Sequence, residues 1–185
     1  MTWKLDFNAP IILSFALICV TVQAINEYSH DSLEHLFSIG GHFNYKVALE
    51  YPRLFLHPIG HAGWDHLFNN MLFILLLGPI TEEKYGSQRL LFMILITALL
   101  TAVLNILFFK TGLHGASGIV FMLIMLVSFA NFRNGKIPIT FILILVLFVG
   151  KEVIESIKDD NISQFAHIIG GLCGSFFGFT KGLKG

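Results

Sequence analysis

Apolar and polar positions alternate along this chain in long blocks rather than every second or third residue. Six apolar runs, at about 9–28, 64–85, 88–109, 116–131, 137–157 and 163–180, are separated by short polar breaks. Each is long and continuous enough to predict a helix that is apolar on most sides. The breaks carry stop and start signals: Gly86 after Glu82-Glu83-Lys84, Gly115 before the fourth run, Gly135 and Pro138 before the fifth. The fourth run, at about 16 residues, is short for a membrane crossing, which takes about 20. It is therefore expected to start below the membrane surface, where irregular backbone is tolerated only if buried in protein or lining a wet cavity.

Between the first and second runs, residues 29–60 mix charges with aromatics. The stretch is too long for a plain connector and too apolar for disorder. It predicts a structured interfacial loop holding short helical pieces. The first run has two readings. Lys4 and Val22-Gln23-Ala24 would fit a cleaved signal segment, whereas the five further runs favour an uncleaved first helix.

Composition agrees with the bilayer as solvent. Hydrophobic residues make up 55% and charged residues 13%, and mean hydropathy is +0.73, far from the roughly 25% charge of soluble domains. Net charge is zero, without a basic stripe, so no nucleic-acid partner is expected. Cys19 and Cys173 both fall in apolar runs and read as small packing residues rather than a disulfide framework. Six spans put both termini on one side, together with seven of the 12 Lys and Arg, so the termini are expected in the cytoplasm. The whole chain, 1–185, reads as one transmembrane domain, all-α, of six spans.

Chemistry concentrates in three places. His114-Gly115-Ala116-Ser117-Gly118 sets a serine at the recessed start of the fourth run. Ala166-His167, followed by Gly170, Gly174 and Gly178, sets a histidine beside a ridge of glycines on the sixth. Small-xxx-small faces let helix backbones approach closely, which would bring an imidazole to a serine as its base. His66 and Asn70 are four apart, hence on one helix face, and with the Ser117 amide they are candidate oxyanion donors. His57, His61 and His66 also raise a metal reading, but Pro58 and Gly60 break the helical spacing that the first pair would need. No metal and no cofactor is expected.

His61-x4-His66-x3-Asn70, Gly115-x-Ser117-Gly118 and Ala166-His167-x2-Gly170-x3-Gly174 together resemble the signature of rhomboid intramembrane serine proteases, and the match runs from about Arg53 to the C-terminus. Glu82 with Gly86-Ser87 resembles the family's turn after the second helix. The resemblance implies a six-helix bundle in minimal form, with a wet cavity opening outward. It implies a Ser117–His167 dyad, with His66, Asn70 and the Ser117 amide around the oxyanion. His61, Gly115, Gly118, Phe121, Gly170 and Gly174 would support the site. Substrates would be transmembrane proteins cut within the lipid bilayer near the outer end of a helix, with small residues preferred at the scissile bond. The amphipathic outer half of the fifth run, with the 29–60 loop, would be the entry. Three positions depart from the common pattern: Pro52 precedes Arg53 in place of tryptophan, Phe121 stands where tyrosine is frequent, and His114 replaces a frequent glycine. The other reading is a proteolytically inactive relative that binds transmembrane helices, although such proteins typically lack the serine or the histidine.

Overall fold

The computed structural model describes residues 6–40, 42–109, 112–130, 139, 142–143, 146–147 and 161–182. Within them lie six named α-helices: α1 Pro10–Tyr28, α2 Glu50–Leu56, α3 Trp64–Tyr85, α4 Ser87–Phe108, α5 Ser117–Ala130 and α6 Asn161–Gly182. A single 3₁₀ turn, Glu34–Leu36, sits in the loop after α1. There are no strands among the described residues, only one isolated bridge. The expected fifth helix and the entry route assigned to its outer half lie outside the described residues, apart from five positions that are helical.

α1 starts on Pro10, whose fixed φ suits the first helical position and whose missing N–H would have had no partner there. The next donors are satisfied from far away. The Ile11 and Ile12 amides each donate to a carboxylate oxygen of Glu82, at 3.0 Å. Glu82, buried near the end of α3, thus caps α1 and complements the positive end of its dipole. Gly78 lies beneath the same turn, and a Cβ there would come within 2.6 Å of Ile12. α3 and α4 are joined through Gly86, at φ +83, a conformation that glycine adopts without strain.

α5 is the middle of the molecule and packs against α3, α4 and α6. Met122, Leu123 and Leu126 are fully buried, which explains why this helix is apolar all round. Its contact with α6 is nearly backbone on backbone. A Cβ on Gly170 would overlap the Gly118 carbonyl, and one on Gly174 would overlap the Met122 carbonyl. Any larger residue at either position would drive the two helices apart.

Outward faces are apolar too: Leu72, Leu76, Phe92, Leu172 and Phe176 are all exposed. An apolar surface on this scale suits lipid rather than water. Two of the described helices, Pro10–Tyr28 and Ser87–Phe108, are long and apolar enough to cross a membrane, and Ser117–Ser128 and Phe165–Thr180 are shorter apolar segments.

The loop between α1 and α3 is held by a backbone pairing outside itself. Ile39 and Leu113 exchange both backbone bonds at 2.9 Å, tying the loop to the segment that leads into α5. Pro52 falls in the first turn of α2, where its lack of a donor is harmless. Arg53, one residue on, pairs with Glu50 at 2.8 Å within that helix.

Candidate active site

Ser117 is the first residue of α5, and Gly115 ahead of it adopts φ +105. The turn is held by the Gly115 amide, which donates to the His57 carbonyl at 2.9 Å. Helix starts leave amides without intrahelical acceptors, so the Ser117 N–H is presented at a half-buried position.

His167 comes from α6 and is 8% exposed. Its imidazole lies over the Phe121 ring, with centroids 4.3 Å apart and planes at 36°. Phe121 therefore supplies the stacking contact despite lacking a hydroxyl. The neighbours of Ser117 and His167 in sequence are in contact: a Cβ on Gly118 would lie 3.2 Å from the Ala166 carbonyl oxygen.

His66 and Asn70 project from one face of α3. The Ala62 amide donates to His66 Nδ1 at 3.5 Å, leaving the proton on Nε2 as a donor. That nitrogen lies over Gly115, 2.8 Å from where a Cβ would stand. Gly115 thus serves two needs, a positive φ and the space for an imidazole. Asn70 is 6% exposed, and its Nδ2 has no hydrogen-bond partner. A buried donor without a partner is costly and marks a place where an acceptor is wanted.

His61 packs edge-on to His66, with centroids 5.1 Å apart, and His114 lies 6.2 Å from His66 on centroids. His61 Nδ1 donates to the Ile59 carbonyl at 3.0 Å and His57 Nε2 to the Ala98 carbonyl at 3.1 Å. Burial, the largest cause, lowers both His57 and His61 to about 4. His61 is lowered further by its neighbour His66 and His57 by His114, while the carbonyl that each imidazole contacts pushes the other way. Both are neutral at neutral pH.

The run at 88–109 is marked in the sequence only as a continuous apolar helix, and the structure gives it a buried polar face. Thr97, Thr101 and Asn105 are four apart on α4 and buried. Thr101 bonds back to the Thr97 carbonyl at 2.6 Å, and Thr97 donates to Met122 Sδ at 3.0 Å. The two threonines line a cavity with His57, Gly115, Gly118 and Ala166, whose interior admits about one water. An i, i+4, i+8 polar stripe in an apolar run was the available signal.

Comparison with known proteins gives this geometry its context. A model of the Rhomboid domain matches residues 48–184, about three-quarters of the chain. The chain belongs to the rhomboid family. The rhomboids are integral membrane proteins, in keeping with the apolar outer faces of these helices. The chain is 30% identical to Rhomboid protease GluP of Bacillus subtilis (strain 168) over 182 residues, 95% of this chain and 34% of that protein. It is 32% identical to RHOMBOID-like protein 4 of Arabidopsis thaliana over 128 residues, 65% of this chain and 31% of that one. It thus spans about a third of the length of these curated relatives. Among the described residues of this rhomboid, no three His, Cys, Asp or Glu side chains are grouped so as to hold a metal ion.

Proposed function

We propose that this rhomboid is an intramembrane serine endopeptidase working through Ser117 and His167, and that residues 1–185 make one domain of six spans with cytoplasmic termini and a site open to the outer side. The reading is carried by the glycine contact between α5 and α6, in which Gly118 meets Ala166 and Gly170 beside the two residues. Burial of His167 against Phe121 supports it. His167 accepts the proton of the Ser117 hydroxyl as the oxygen attacks the scissile carbonyl. The developing oxyanion receives the Ser117 amide, His66 Nε2–H and the Asn70 amide group, two of which have donors free for it in the resting protein. His167 then protonates the departing amine, leaving an acyl-serine ester. A water passes its proton to His167 and attacks the ester, and the serine is restored.

That water needs a store in an apolar bundle. The cavity beside Thr97 and Thr101 is of the right size for one, and His57 Nδ1 in its otherwise largely apolar wall is a buried nitrogen without a partner. Substrates are transmembrane helices, whose outer ends must unwind to reach the recessed serine.

The test is covalent labelling by a fluorophosphonate, followed by incubation of the purified protein in detergent with a panel of transmembrane substrates. Wild type is expected to be labelled at Ser117 and to cleave, and Ser117→Ala and His167→Ala to do neither. Labelling or cleavage that survives Ser117→Ala would overturn the assignment.

A further inference from the structure

A second pocket lies outside the catalytic groups. It is an open cleft, its narrow interior admitting about one water, between the end of α1, the 3₁₀ turn and the loop ahead of α3, with Gln23, Asn26, Glu34, Phe37, His61 and His114 among its walls. Glu34 is exposed, whereas Gln23 and His61 are 4% and 7% exposed. The pocket thus carries a carboxylate in contact with solvent and buried polar groups deeper in.

Its polar groups are weighted toward accepting. His61 Nδ1 holds the ring proton against the Ile59 carbonyl, so Nε2 presents a lone pair, and that buried nitrogen has no hydrogen-bond partner. Glu34 brings a carboxylate, and Gln23 an amide oxygen. The Asn26 amide is already engaged, donating to Asp31 and accepting from the Leu33 amide, both at 3.0 Å. The last turn of α1 adds to the sign. Its carbonyl end carries partial negative charge, holds no basic residue and includes Glu27. Among the described residues, no lysine or arginine lines the pocket.

The pocket is also within reach of the serine. His114 in its wall is three residues from Ser117, at most about 11 Å along the chain. An extended substrate advances about 3.3 Å per residue, so a long side chain two to four residues from the scissile bond spans that distance.

We propose that this pocket is a substrate subsite that takes the ammonium group of a lysine flanking the cleaved segment on its outer side. The proposal rests on the protease reading and narrows its substrate class. Glu34 supplies the charge, Gln23 and His61 Nε2 accept the donated hydrogen bonds, and Phe37 packs along the aliphatic stem.

The test uses the full chain, purified in detergent, and one transmembrane substrate in which Lys, Gln or Glu is placed in turn at each position around the scissile bond. At one or two positions Lys is expected to raise kcat/KM about threefold to fivefold over Gln, the size of a partly exposed ion pair. Glu is expected to lower it there, and added salt to shrink the difference. Glu34→Gln should bring the Lys/Gln ratio close to one, and Glu34→Lys should invert the preference toward Glu. Glu34 is exposed on a loop turn, so these variants do not disturb the core. Cleavage with Lys/Gln ratios within about twofold of one at every position, below what such a pair supplies, would overturn the subsite and leave the protease reading standing. So would a ratio indifferent to Glu34→Lys. Absence of cleavage and of Ser117 labelling in wild type would instead remove the protease reading, and the subsite with it.

Discussion

A methyl group on Gly115 would land against the His66 imidazole, 2.5 Å from Cε1. The backbone there sits at φ +105, which costs an L-residue about 1 kcal/mol or more. Gly115→Ala is therefore expected to displace His66 and reduce kcat by at least about tenfold, within the range for disturbing an oxyanion donor. The helical circular dichroism spectrum should stay intact, because the residue precedes α5 rather than belonging to it. Asn70 differs, since its unpartnered amide is one of the three donors proposed for the oxyanion. Asn70→Ala should slow cleavage by less than the roughly 10²–10³-fold typical of a sole donor. A loss as complete as that of Ser117→Ala, measured on the same substrate, would assign Asn70 a different role. At this scale the residue types were legible in the chain, because a helix start with glycines and an i, i+4 His–Asn pair need no tertiary information. The Gly115–His66 contact was not legible, since it joins residues 49 positions apart in sequence.

Helix packing sets a different kind of limit. Gly170 and Gly171 are adjacent on α6 yet differ in surroundings: a Cβ on the first would overlap the Gly118 carbonyl, whereas on the second it would meet only Met125 Cγ at 3.9 Å. Gly170→Ala should therefore lower the melting temperature in detergent and abolish activity together, through forced separation of α5 from α6. Gly171→Ala should be neutral or slightly stabilising, since alanine lowers the backbone entropy cost in a helix by about 0.5–1 kcal/mol. Thermal unfolding of the two variants side by side checks both. Helix limits came through well at this scale, with the run read at 64–85 emerging as Trp64–Tyr85 between Gly63 and Gly86. The loop between α1 and α3 came through less well. Short helical pieces are expected somewhere in 29–60, and the structure sets them at Glu34–Leu36 and Glu50–Leu56. The order of the loop depends on the Ile39–Leu113 pairing, a contact with no local pattern to announce it.

The molecule as a whole keeps a set of buried imidazoles neutral. His57 and His61 are held at about 4 by burial, below the ordinary histidine value of about 6.5. An unfolded chain takes up these protons first as pH falls, so stability rises with pH between about 4 and 6.5 and levels off above. The melting temperature in detergent is accordingly expected to be lower at pH 5 than at pH 7.5, with little change from pH 7.5 to pH 8.5. His57→Asn should flatten part of that dependence, and an unchanged slope would mean that other groups carry it.

The apolar runs determine on their own that this chain seeks lipid and where the five long described helices begin and end, because burial in lipid is decided by composition over about 20 residues. The Ser117, His66/Asn70 and His167 motifs likewise announce their family from spacing alone. Only the packed structure decides which glycines touch, that Glu82 caps a helix 70 residues away, that Thr97 and Thr101 face a cavity, and that Gln23, Glu34 and His61 share a pocket. Those facts depend on distances between segments remote in sequence. A spacing along one helix is set by 3.6 residues per turn, whereas a distance between helices is set by what every intervening side chain leaves room for.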